Sequence, residues 1–412
     1  MKPTRKNGST NYFFILLIGL LPFSFALNLF PDIDLSIVRV IIPLVFLIWI
    51  LKSLSQKKLF LDTRFRAWLI LMIFLLAVLS LSWSENFNKA LRKVLFLGSI
   101  FPVYWVAFAS LRKKIQVDIF LKTIFFTSLL TAFVGLLQFF GQFFWGLENV
   151  LALQRSISPF FLGNNFAEVV SQYNSWLVNL NGKTIFRSLA FFPDPHLFSL
   201  FLNTSLPISA YLYGTKKQPV FLVGLFVILL SSLLAFSRGG FLSLIMALAF
   251  YWIISFRKIS IIKNLFFIAA LLALLATSNP FSQRLFSSFN FQDGSVGERL
   301  RLLEQSWEIT KNNLWTGVGI GNLSEKIEPL SDQRIPIYAH NLFLDFSVEI
   351  GILGGLALLI IILSPIVTFF KKPTSINLCL AIIFIIILTH SMFETPFYSV
   401  RNLPLILSLL AL

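Results

Sequence analysis

The chain is 412 residues long, 57% hydrophobic and only 13% charged, which leaves too little polar surface for a water-soluble globule of that size. Its net charge of +16 does not mark a nucleic-acid partner, because the lysines and arginines sit in short clusters between apolar runs. Those runs reach the ~17–25 residues a helix needs to cross a bilayer and lack the alternation of a membrane barrel, so the expected fold is all-α and polytopic.

Twelve transmembrane helices are predicted, near residues 12–30, 34–51, 67–83, 94–111, 119–140, 197–213, 218–235, 239–256, 264–279, 342–370, 375–391 and 398–412. The last is short enough to be a partial crossing. Basic clusters fall in every second connection: Lys2, Arg5 and Lys6; Lys52, Lys57, Lys58, Arg64 and Arg66; Arg112, Lys113 and Lys114; Lys216 and Lys217; Arg257, Lys258 and Lys263; Lys371 and Lys372. These 18 basic residues face only Asp62 and Asp118, the bias of cytoplasmic loops, which puts both termini on the cytoplasmic side. One connection departs from the rule. Glu85, Lys89, Arg92 and Lys93 make it net basic although the alternation places it outside. The first apolar run has the look of a signal peptide, but a retained helix keeps the later spans in phase. Residues 1–412 therefore read as a single membrane domain with two long external loops, 141–196 and 280–341, forming a partly helical external cap.

Asp32 and Asp34 come first among the polar features. Two acids make a poor cation cage, and Asp34 just before an apolar run suits helix capping, so no metal is expected. Ser237-Arg238-Gly239-Gly240 joins two spans externally; its glycines allow a tight turn, and the guanidinium fork suits either phosphate oxygens or interfacial anchoring. In the second loop Ser295-Val296-Gly297-Glu298 fits a capping box, followed at helical spacing by Leu300, Leu303 and Trp307. At ~100° per residue, Arg299 flanks that stripe whereas Arg301 points toward solvent. Gly317-Val318-Gly319-Ile320-Gly321 lacks the strand and helix of a dinucleotide fingerprint and reads as a plain loop, so no nucleotide cofactor is implied. His196, His340 and His390 all fall at external ends of spans, without metal-ligand spacing. Cys379, the sole cysteine, lies in a span and cannot form an intrachain disulfide.

His340-Asn341, followed nine residues later by Gly351-Ile352-Leu353-Gly354, places an imidazole at the membrane surface. This H-N-x9-G-x-x-G element resembles the signature of the O-antigen ligase and O-antigen polymerase family of bacterial membrane enzymes. Residues 299–322 resemble that family's link between a loop arginine and a G-x-G turn, and the Arg238 segment resembles its donor-diphosphate arginine. Arg187 to His196 resembles an R-x-x-G-x-F-x-N-P-N stretch, with Ala190, Asp194 and His196 replacing the family residues.

The resemblance implies glycosyl transfer from a polyprenyl-diphosphate-linked glycan to a lipid, glycan or protein acceptor at the external face of the cytoplasmic membrane. His340 is the implied base, and Arg238, Arg299 and Arg187 are the implied contacts to the anionic donor. Neither cofactor nor metal is implied. Attack opposite the diphosphate inverts the anomeric carbon. Trp176, Trp315 and Tyr338 are candidates for stacking on sugars or anchoring at the interface. The rival reading is a non-catalytic transporter or flippase of lipid-linked glycans, which internal repeats and mid-membrane polar groups would favour.

Overall fold

The computed structural model describes residues 8–30, 33–172, 174–180, 182–256, 294–327 and 338–412. In chain order its helices are α1 (Gly8–Leu20), α2 (Val38–Ser55), α3 (Phe65–Leu79), α4 (Phe87–Ile100), α5 (Val103–Ser110), α6 (Lys114–Trp145), α7 (Leu147–Leu162), α8 (Asn164–Gln172), α9 (Pro195–Lys216), α10 (Pro219–Leu233), α11 (Arg238–Ser255), α12 (Gly294–Asn312), α13 (Leu323–Lys326), α14 (Leu342–Ile350), α15 (Ile352–Lys371), α16 (Ser375–Ser391) and α17 (Asn402–Leu410). Two antiparallel hairpins, β1 (Ala26–Phe30) with β2 (Ile33–Ser36) and β3 (Leu177–Leu180) with β4 (Lys183–Phe186), lie in the connections. The all-α expectation holds. The predicted span 264–279, the basic residues Lys2, Arg5, Lys6, Arg257, Lys258 and Lys263, and Asp32 lie outside the described residues.

Among the described residues, six helices are long and apolar enough to cross a membrane: Val38–Ser55, Phe65–Trp83, Phe87–Ser110, Lys114–Trp145, Arg238–Ser255 and Ile352–Lys371. The protein is thus a multi-pass membrane protein. Shorter apolar helices, Asn11–Phe23, Pro219–Leu233 and Ser375–Ser391, fall on three further predicted spans. Side chains such as Leu44, Leu47, Leu51 and Leu54 on α2 remain exposed, as expected where the solvent is lipid. At the opposite extreme α9 is packed by α6, α10, α11 and α16 and buries most of its length. Asn203 joins three of these helices: its Nδ2 donates to the Gly240 carbonyl at 3.0 Å, and its Oδ1 accepts from Ser232 Oγ at 2.5 Å.

Two predicted spans take another form. Residues 342–370 break at Gly351, whose φ of +83° and close approach to the Trp315 carbonyl, only 2.0 Å from where a Cβ would sit, admit glycine alone. The break leaves helix-end groups to be satisfied. The glycine turn Gly317–Gly321 supplies them: the Val318 and Gly319 amides donate to the Val348 and Glu349 carbonyls at 2.8 and 2.9 Å, while the Ile352 amide donates to the Leu314 carbonyl at 2.8 Å. Gly355 then brings α15 against Ser347 and the Phe343 carbonyl. The two glycine motifs are therefore halves of one joint. Residues 398–412 contain only α17, nine residues long and buried throughout, which is too short to cross.

The exceptional basic connection also finds its reason. Residues 87–93 are the first turns of α4, capped by the Asn86 side chain, and they pair with the cap: Lys89 with Glu325 at 2.6 Å, Lys93 with Glu349 at 2.6 Å, and Glu85 with Lys326 at 2.6 Å. Local ion pairs offset the excess positive charge of this connection. Asp34 does act as a cap, but of a different helix: its Oδ2 accepts from the Phe166 amide at 2.7 Å in the first turn of α8, whereas α2 begins only at Val38.

Candidate active site

The site grows from the joint just described. Asn341 caps α14, its Oδ1 accepting from the Phe343 and Leu344 amides at 3.1 Å each. The preceding His340 is held at φ +55°, a left-handed conformation that costs a non-glycine residue about 1–2 kcal/mol. This turn aims the imidazole at the segment following α16, where Glu394 Oε2 lies 3.3 Å from Nδ1. A carboxylate only accepts, so Nδ1 carries the proton and Nε2 keeps the lone pair in the neutral ring.

Glu394 has a second partner. Arg299 Nη2 on α12 donates to its Oε1 at 3.1 Å. One carboxylate thus ties together the two residues that the sequence marked separately, and both remain accessible, with 38% of the His340 side chain and 32% of the Arg299 side chain exposed. Burial pushes the Glu394 carboxyl toward the neutral form. The positive fields of His340, His196 and Arg299 prevail and hold it well below the usual carboxylate range. Burial likewise opposes charge on His340, yet Glu394 raises it above the ordinary imidazole value, an effect that solvent screening at the exposed edge moderates.

Arg238 opens α11 beside this group. Ser237 caps the helix by accepting from the Gly240 amide, and His196 Nδ1 lies 3.0 Å from the same Ser237 hydroxyl. Gly239 packs on Phe393 and on the fully buried His390, so the first turn of α11 touches the segment that carries Glu394. Arg238 itself is half-buried.

Arg187 takes a different place. It is 2% exposed, and its Nε, Nη1 and Nη2 donate to the carbonyls of Ala235, Ser175 and Phe236 at 2.8, 2.8 and 3.1 Å. Phe236 sits at φ +47° one residue before the Ser237 cap. Arg187 builds the turn that presents Arg238. Trp176 is equally internal, its indole donating to the Pro193 carbonyl at 2.9 Å. Trp315 is 68% exposed, and Tyr338 stacks on Tyr398.

The phase of α12 departs from expectation. Leu300 and Trp307 are exposed, and the packed face is Leu302, Ser306 and Thr310, against α14. Small side chains at Ser306 and Thr310 let the two helices approach closely. Arg299 shares the packed face at i and i+3, while Arg301 is exposed, so the contrast between the two arginines stands although its stated cause does not.

Sequence reasoning missed Glu394. Its one signal is a lone carboxylate in the connection after residues 375–391, where low polarity makes an unpaired acid costly. Among the described residues no group of three or more His, Cys, Asp or Glu has the geometry of a metal site.

A family model described as O-antigen ligase matches residues 223–359. No curated protein and no solved structure matches the chain. The matched stretch holds Arg238, Arg299, His340 and the Gly351 joint; Arg187 and Glu394 lie outside it. Over these residues, about a third of the chain, the sequence is similar to the O-antigen ligase family.

Proposed function

We propose that the protein transfers a glycan from a polyprenyl-diphosphate donor to an acceptor hydroxyl at the external face of the bacterial cytoplasmic membrane, with inversion and without a metal ion. The observation that carries this reading is the shared carboxylate: Glu394 joins an accessible arginine to an accessible histidine, beside the helix terminus bearing Arg238. Phosphate recognition and proton removal need those two groups within one substrate's reach.

Arg238 and Arg299 neutralise the diphosphate and the charge that grows on it as the C1–O bond breaks; fixed guanidinium groups stabilise such charge well in a cleft poor in water. The acceptor oxygen forms its bond to C1 from the opposite side. His340 Nε2 takes the acceptor proton, and the diphosphate departs with the electron pair. Glu394 orients the imidazole through Nδ1 and stabilises it once protonated, as a carboxylate partner does for a general-base histidine. Arg187 acts at one remove, by shaping the turn before Arg238.

The test is reconstitution of the purified chain with a polyprenyl-diphosphate oligosaccharide and a hydroxyl acceptor. New glycosidic product, insensitive to chelators, is expected. Translocation of the donor across the vesicle without any product would replace this reading with a transporter.

A further inference from the structure

The turn carrying His340 and the turn carrying Glu394 belong to segments 54 residues apart, and each is short and polar. Something must hold them in register. Asp345, one turn into α14 and 0% exposed, touches both: its Oδ1 accepts from the Ala339 amide at 2.7 Å, and its Oδ2 accepts from the Thr395 hydroxyl. Ala339 immediately precedes His340 and Thr395 immediately follows Glu394. We propose that Asp345 is a positioning residue that fixes the His340 imidazole against the Glu394 carboxylate, bridging the backbone before the one and the side chain after the other.

Three observations support this beyond the contacts. Asn341 already caps α14, so that helix does not require Asp345 for its N-terminus. His340 is held at positive φ, and such a conformation persists only where neighbouring bonds over-determine it; the Ala339–Asp345 and Asn341–Phe343 bonds flank it on both sides. Burial pushes the Asp345 carboxyl up to about 7, and its bridge survives either protonation state, since a neutral carboxyl accepts from Ala339 while donating to the Thr395 hydroxyl. An amide can make the same two contacts. A methyl group makes neither.

The inference rests on the reading of His340 as base, and its test is separable from that reading. The chain has only three histidines, so ring-carbon NMR of histidine-labelled protein in lipid discs gives three resonances, and His340→Asn assigns the one needed. The charges facing His340 are Glu394 from the segment after α16, Arg299 from α12 and Asp345 from α14. Wild-type protein should show His340 titrating above the ordinary value of about 6.5. Asp345→Ala should move it down toward that value and lower kcat about 10²-fold with donor KM little changed, the loss expected of an ångström-scale misplacement. Asp345→Asn, which keeps both contacts but not the charge, should restore kcat and return part of the titration shift, whereas an Asp345→Asn protein indistinguishable from Asp345→Ala in both would assign the effect to lost charge alone and overturn the proposal. Thr395→Val, which removes one arm and keeps the side-chain shape, should give an intermediate shift and serves where Asp345→Ala does not fold. An unchanged His340 titration in folded Asp345→Ala, or in Thr395→Val where only that variant folds, would overturn the proposal. Loss of turnover in His340→Ala bears on the reaction itself and leaves these titrations readable.

Discussion

The two long connections, residues 141–196 and 280–341, carry arginines of opposite fate. In the first, residues 141–196, Arg187 spends its nitrogens on three backbone carbonyls, Gln142 holds the Phe186 backbone, and Trp176 ties down Pro193. In the second, Arg299 meets a side-chain carboxylate that is shared with an exposed imidazole. Carbonyl partners are fixed by the fold and leave no charge to redistribute, whereas a shared carboxylate responds when a ligand competes for its arginine. The first connection therefore reads as scaffold and the second as chemistry.

The largest test of that contrast lies in the second connection. His340→Ala should lower turnover about 10²–10⁴-fold while donor binding and melting temperature stay near wild type, the usual worth of a general base. Product formation by purified, folded variant checks it. Near-normal turnover would leave the arginines as a donor-binding site without this base. Arg187→Ala should do the reverse. Hydrogen bonds to charged donors contribute ~1.5–3 kcal/mol each, so leaving the buried Ala235 and Phe236 carbonyls unmatched should cost roughly 3 kcal/mol or more of stability. Thermal denaturation in detergent measures it, and a stable but inactive Arg187→Ala protein would move that arginine into the site.

Glu394→Gln sharpens the second half. The raised basicity of His340 means that wild-type activity falls on acidification at a higher pH than an ordinary histidine would give, because the base is lost once protonated. With the carboxylate neutralised, His340 should titrate lower, so the acid limb of kcat/KM moves to lower pH while the maximum drops. A pH–rate profile whose acid limb stays in place would show that Glu394 does not act through His340.

Much of this was legible because it depends on local pattern. Apolar run length marked the membrane helices, and His340-Asn341 with its following glycines marked the capped start of α14 and the break after it, since capping and a positive-φ break require particular residues at fixed spacing. Glu394 was illegible because its meaning comes from two partners 54 and 95 residues away, and no local pattern records such contacts. The break inside 342–370 was hidden for a related reason: Gly351 is tolerated in a helix, and only the carbonyl of Trp315 pressing on it shows that the helix stops there. Asp34 read correctly as a cap but was assigned to the helix next in sequence instead of the one across space.

The smallest expected effect is the most discriminating one within a single helix. Arg299 and Arg301 are two residues apart on α12, equal in charge and in propensity, so substitution of either by alanine costs the helix the same intrinsic amount. They differ in what they face. Arg299 pairs with Glu394 and shares the packed side with Leu302, while Arg301 is exposed. Arg299→Ala should therefore cut turnover tenfold or more, on the order of the 1.4 kcal/mol or greater expected of a charge-assisted contact to the transition state, with donor KM rising as well. Arg301→Ala should stay within about twofold, the scale of an exposed surface charge. Parallel kinetics on the two folded variants decide the matter. Equal tolerance would detach α12 from the chemistry and leave Glu394 serving His340 alone; equal loss would show that the donor meets Arg301 as well as the arginine held by Glu394.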